Sequence, residues 1–232
     1  MSRATSRCCS KSLRSAALAL AVALVAGAAR GDEGWRALFE DDGVSVSERD
    51  VAGRELPDFR GEVEIPADAF EVLAVILDVP AQTQWMWQCR VSRVLASEGD
   101  GVSLVYQVLD ARWPATDRDV VFRSEARILE PGRISVHFRS REDPSTPPVA
   151  ELVRMAQLEG ELELVSLDPT HTRVTYSVSA DPGGSLPAVL VRSTVRESPF
   201  DTLVGLRRRV AETHGRYADV AAIWRTRAAG AR

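Results

Sequence analysis

From Arg90 to Asp181 the chain alternates apolar and polar residues in one run after another: RVSRVL, VSLVYQVL, DVVFRSEARIL, RISVHFRS, LVRMAQLEGELELV and TRVTYSVSA. A period of two sends successive side chains to opposite faces of an extended chain, so these runs are predicted to be strands with one dry face. The breaks at Gly99-Asp100-Gly101, Pro131-Gly132, REDPSTPP and Asp168-Pro169 are turn or loop chemistry, which makes the strands successive members of an antiparallel sheet. By parity the dry face holds Val102, Leu104, Tyr106 and Val108; Phe122, Ser124 and Ala126; Val136 and Phe138; Leu158 and Leu162; and Val174, Tyr176 and Val178. Such a face must be covered.

The covering element follows DPGGSLP. There Leu186, Val189, Leu190, Ser193, Phe200, Leu203, Val204 and Val210 trace a stripe near helical spacing, predicting a long C-terminal helix that Pro199 kinks or splits. Upstream, GWRALFEDDG reads as a short helix with Trp35, Leu38 and Phe39 on one side and Gly43 ending it. VSVSERDV and DFRGEVEI alternate as strands. Pro66 then opens the helical pattern ADAFEVLAVILDV, Pro80 stops it, and PAQTQWMWQC is predicted to make a second, short helical turn. The expected class is α+β, with a sheet curled around the last helix.

Four basic residues, Arg3, Arg7, Lys11 and Arg14, precede the apolar run AALALAVALVAGAA, and Ala26-Gly27-Ala28 has the small residues of a cleavage site. Residues 1–29 are therefore expected to be a secretory signal peptide and the protein exported, either periplasmic or secreted. Without that segment the formal net charge of −4 becomes −8, since it carries four basic and no acidic side chains. An acidic body argues against a nucleic-acid partner. Cys89 alone then remains, so no intrachain disulfide framework is expected and stability must come from a buried core. About 200 residues suffice for one domain, assigned to 34–214 and expected to be monomeric. A basic tail, 215–232, is left over, and arginines there could each contribute on the order of 1 kcal/mol to transient contact with an anionic membrane surface.

RWPATDRDVVF sets a rigid corner before a strand. Pro114 restricts the backbone, Trp113 offers a large surface to pin it, and at the strand entrance of Asp117, Arg118 and Asp119 a forked guanidinium can join two carboxylates or carbonyls of neighbouring segments. In DPGGSLP, Asp181 precedes Gly183 and Gly184, which permit a tight reversal, and Pro187 suits a first helical turn. These two motifs, with Arg154 in Val153-Arg154, Trp85 and the terminal amphipathic stretch, resemble the START family of lipid-transfer domains in content and order, from about Trp35 to about Arg209. The resemblance implies a helix-grip fold enclosing a largely apolar tunnel for one lipid, with REDPSTPP near its mouth. Some sterol-binding members place an arginine in the strand after the gate; Ser124 stands there, which speaks against a sterol.

Little in the chain suggests catalysis. His137, His171 and His214 are scattered, no metal-ligand spacing links them to Cys89, and neither a phosphate-binding glycine loop nor a G-x-S-x-G elbow occurs. No metal or cofactor is expected. The candidate ligand wall is Tyr106, Phe122, Ser124, Val136, Phe138, Leu158 and Tyr176 from the sheet with Leu190, Phe200 and Leu203 from the closing helix, while Met86 and Trp87 are candidate portal residues. The expected function is non-enzymatic: one hydrophobic, lipid-like molecule held internally and carried. Two alternatives stand beside it, a helix-grip enzyme of polyketide cyclase or aromatase type and an interaction module with a filled core.

Overall fold

A computed structural model describes residues 34–112, 115–184, 192 and 195–230. The predicted signal peptide, Trp113, Pro114, Pro187 and Leu190 lie outside these residues.

The alternating runs become one sheet. In chain order the strands are β1 (Arg36–Asp41), β2 (Val44–Arg49), β3 (Asp58–Ile65), β4 (Cys89–Gly99), β5 (Val102–Leu109), β6 (Arg118–Glu130), β7 (Arg133–Ser140), β8 (Val153–Arg154), β9 (Gln157–Asp168) and β10 (His171–Asp181). They lie side by side as β1-β2-β3-β10-β9-β7-β6-β5-β4, all antiparallel, and the two residues of β8 add to β6 in parallel. Consecutive hairpins build each half of the sheet, and pairing of β3 with β10 joins the early strands to the late ones.

The first prediction to fail is the opening helix. Residues 36–41 are β1, because Asp42 and Gly43 both adopt positive φ and close a two-residue hairpin onto β2. Asp-Gly is a strong hairpin signal, and the ladder with β2 outweighs the helical spacing of Trp35, Leu38 and Phe39. Phe39 instead sits 5.7 Å, centroid to centroid, from Phe200.

Helix α1 (Ala69–Leu77) begins later than Pro66, at the cap of Asp68, whose carboxylate accepts the Phe70 N–H at 3.0 Å. A 3-10 turn, Val79–Gln84, follows with Pro80 in its first turn. Helix α2 (Glu197–Glu212) carries Pro199 in its first turn, where a missing N–H leaves no intrahelical bond unmade; ahead of it Arg192 and Val195 are helical and Arg196 is a turn, so the helical stretch is interrupted just before the proline. Leu203, Leu206 and Val210 of α2, Val72, Leu73 and Val75 of α1, and the inward residues of β2, β3 and β10 make one buried core.

The segment read as a basic tail contains helix α3 (Ala218–Gly230), which packs on α1 and buries Ala221 and Trp224. Trp224 lies against Gly101 in the β4–β5 turn, where an added Cβ would come within 2.6 Å of the indole. Two of its arginines are held by the body, Arg225 on Asp68 at 2.7 Å and Arg227 on Asp100 at 2.9 Å. Among the described residues no helix is long and apolar enough to cross a membrane.

Candidate functional site, an apolar cavity beside the closing helix

The core is not filled everywhere. Between the inward face of the sheet, α1 and the start of α2 lies a cavity of about 290 Å³. Its sheet wall is Phe122 and Ser124 of β6, Val136 and Phe138 of β7, Leu158 and Leu162 of β9, and Tyr176 and Val178 of β10. These residues meet because the ladder registers place Ser124 opposite Phe138, and Val136 opposite Leu162, which in turn faces Tyr176. Phe138 stacks edgewise on Phe122 at 6.0 Å and approaches Tyr176 at 6.1 Å. Burial pushes the Tyr176 hydroxyl up to about 12, against a smaller opposing pull from Ser198, so it acts only as a neutral hydrogen-bonding group.

Six of the predicted wall residues therefore share one surface: Phe122, Ser124, Val136, Phe138, Leu158 and Tyr176. Three do not. Tyr106 faces the opposite side of the sheet, in a separate cluster with Leu104, Val108 and Val121, and Arg93 lies over its ring at 4.8 Å. Pairing of Tyr106 with Val121 and of Val105 with Phe122 decides this, and it corrects the predicted parity of β5. Phe200 leans on Phe39, and Leu203 is fully buried over Gly61 of β3, so both belong to solid core.

Sequence parity misses the polar end of the cavity. Gln107, on the face of β5 that alternation makes wet, is buried and donates from Nε2 to Gln82 Oε1 at 2.7 Å. Ser92 donates to the same oxygen at 3.0 Å, and Gln82 Nε2 donates to the Ile76 carbonyl at 3.1 Å. Gln82 and Gln107 both border the cavity. A lone glutamine inside VSLVYQVL is the available signal, because a polar residue amid apolar ones on a two-sided dry strand needs a buried partner.

The cavity opens toward the gate. Trp87, Gln88, Asp110, Ala111, Arg112, Ala115 and Pro182 line that end and are half-buried or exposed. Met86 and Trp87 are thus at the cavity as predicted, whereas none of REDPSTPP lines it. That loop turns on Asp143, which accepts from Ser145 and Thr146, and Arg154 ties it down through the Thr146 carbonyl at 3.2 Å. Gln88 has a φ of 50°, a conformation that favours glycine, at the cavity rim.

Three charged residues of the gate divide the work in a way the motif does not reveal. Asp119, with no exposed surface, takes both forks of Arg154 at 2.9 Å, and the backbone N–H groups of Val153 and Met155 bond to the Asp117 and Asp119 carbonyls. Asp117 accepts from the Ala111 N–H at 2.8 Å and from Arg90 at 2.9 Å, which holds its carboxyl below the usual range. The motif points to Arg118 as the fork. Instead Arg154 and Arg90 are the forks, and Arg118 borders the cavity without a carboxylate among the described residues. At the other end of the chain's return, Gly183 and Gly184 both have positive φ, with the Gly183 N–H on Asp181 at 2.9 Å, so the predicted reversal is built as read. Trp85 is buried beneath α2.

A family model described as the START domain matches residues 15–215. The chain belongs to the START domain family. An uncharacterised protein of Pseudomonas aeruginosa is 35% identical over 84% of this chain and 95% of its own length. The solved STAR-related lipid transfer protein of Xanthomonas axonopodis is 35% identical, covers 77% of this chain and 99% of its own, and superposes with a TM-score of 0.72. The human StAR-related lipid transfer protein 5 shares the fold at 24% identity over 80% of this chain and 90% of that one, with a TM-score of 0.73. An aromatase/cyclase of Streptomyces shares it more distantly, at 18% identity, 67% and 94% coverage and a TM-score of 0.50. The START fold is thus an α+β helix grip that does not by itself separate carrier from enzyme. Within this START domain, no histidine lines the cavity among the described residues, and its one lining carboxylate, Asp110, is bonded to Arg90 at 2.5 Å.

Proposed function

We propose that this START domain binds one hydrophobic, lipid-like molecule in the cavity and carries it between membranes. The single observation that supports this reading most is the hollow itself, about 290 Å³ with a mostly apolar wall and a few fixed polar groups, which is the make-up of a small-molecule site. Binding would be driven by desolvation, at roughly 0.8 kcal/mol for each methylene withdrawn from water. Tyr176, Ser124 and the Gln82–Gln107 pair would orient the ligand, and displacement of α2 or of the gate would admit it. Similarity to a lipid transfer protein of Xanthomonas axonopodis points the same way.

The basic N-terminal stretch followed by a short apolar run supports export, so the cargo would be handled outside the cytoplasm. The decisive experiment is native mass spectrometry of the protein purified from its own host, with extraction of whatever is bound. One hydrophobic molecule per chain is the expected result. An empty protein that also ignores a broad lipid panel overturns the proposal, and turnover of a bound polyketide without retention would favour the enzyme instead.

A further inference from the structure

Two arginines border the cavity. Arg112 is engaged outside it, on Glu197 at 2.8 Å. Arg118 is 7% exposed, its Nη1 donates to the Thr116 carbonyl, and its Nε has no partner among the described residues. The acids around it are already committed: Asp110 and Asp117 to Arg90, and Asp119 to Arg154. A guanidinium does not escape its charge by losing a proton, even though burial shifts this one downward. Asp117 acts on it through space, but that carboxylate is already bonded to Arg90 and the Ala111 N–H; a buried guanidinium left with an unmade donor at Nε is costly, and an anion placed there would relieve it.

The surroundings leave room for that partner. Gly184 stands beside the guanidinium, where even an added Cβ would remain 3.8 Å from Nη2. Ala111, Ala115 and Pro182, also at this end, are uncharged and the Asp110 carboxylate there is held by Arg90, while past Ser124 and Tyr176 the sheet wall runs apolar through Leu162 and Val136. The cavity volume is near the lower limit of about 300 Å³ typical of ligand pockets, which suits one hydrocarbon chain better than two.

We propose that Arg118 receives the anionic head of the cargo, so that the cavity selects an acidic single-chain amphiphile, a carboxylate or phosphate monoester on one hydrocarbon chain. This deepens the carrier reading and rests on it. A planar fork matches either head bidentately, and charge-assisted bonds of this kind are the strong ones.

The test is calorimetric titration of the delipidated full chain with dodecanoate, dodecyl phosphate, dodecanol and inorganic phosphate. At least one of the two acidic amphiphiles should bind about tenfold or more tighter than dodecanol, and the tighter one identifies the head group. Arg118→Met should bring the acidic ligands to within about twofold of dodecanol. Should that variant not fold, Arg118→Lys, which keeps the charge and loses the fork, should cut the preference severalfold; an undiminished preference overturns the assignment. Equal binding of all three amphiphiles to the native chain also overturns it while sparing the carrier. Binding of none of them overturns the carrier reading as well. Inorganic phosphate binding as tightly as dodecyl phosphate would make this a free-anion site and overturn the lipid-head assignment.

Discussion

Along α2, Leu203, Leu206 and Val210 are buried in the core, whereas Ser198, at the helix's opening turn, borders open space. The tight part is held by close approach. An added Cβ on Gly205 would fall 2.1 Å from the Trp85 carbonyl oxygen, and one on Gly61 would fall 2.8 Å from Leu203. Small residues let the helix sink onto β3 and the turn after α1, and that sinking fixes its height above the sheet. Where β6, β7 and β9 continue beyond it, Phe122, Val136 and Leu162 face the cavity, which Ile76 of α1 and Ser198 of α2 border without filling. One helix thus meets both core and hollow, and Gly205 stands where it is packed.

That contrast can be broken deliberately. Leu203→Ala should be the most damaging change, costing about 2–5 kcal/mol in urea unfolding because it empties a filled site. Leu158→Ala, made in a wall that already faces space, should cost clearly less, about 2 kcal/mol or below; equal losses would mean that the hollow is closed in solution. Gly205→Ala should lie between, at about 1–3 kcal/mol, by lifting α2 from Trp85. Ser124→Leu reverses the logic: it should leave stability within about 1 kcal/mol while reducing ligand uptake, read by mass spectrometry after lipid loading.

The smallest effect belongs to the gate. Asp117 is half-exposed, and its folded-state pKa is depressed by the Ala111 N–H first and Arg90 after it. Its contribution is therefore fully present above the unfolded value of about 4 and disappears as pH falls through the lower folded value. Asp117→Asn should cost at most about 1 kcal/mol at pH 7, and the gap from the native chain should close in strongly acidic solution. A gap that instead widened toward low pH would contradict the assigned partners.

Much of the architecture can be read from periodicity. Most strands from Cys89 onward, α1 and its Pro80 stop, the glycine reversal at Gly183-Gly184 and the half-apolar face of β10 follow from local rules, whereas LVRMAQLEGELELV, read as one run, divides into β8, parallel to β6, and β9. The errors share a cause. β1 has helical spacing but is claimed by a hairpin, and β5 is apolar on both faces, so alternation separates Tyr106 from Gln107 without saying which of them turns inward. The gate motif offers Arg118 as the fork to neighbouring segments, yet it is Asp117 and Asp119 that reach them, bonded by Arg90 and Arg154 from other strands.

Strand alternation, α1 and the glycine reversal were determined by the chain alone, because each depends on dihedral preference and on neighbours within a few residues. Which face of β5 is inside, which arginine lacks a partner and whether the closing helix leaves a void depend on distances between segments far apart in sequence. Only packing sets those distances. A side chain's apolar character says that it will leave water, and the fold decides whether it meets another side chain or the space kept for a ligand.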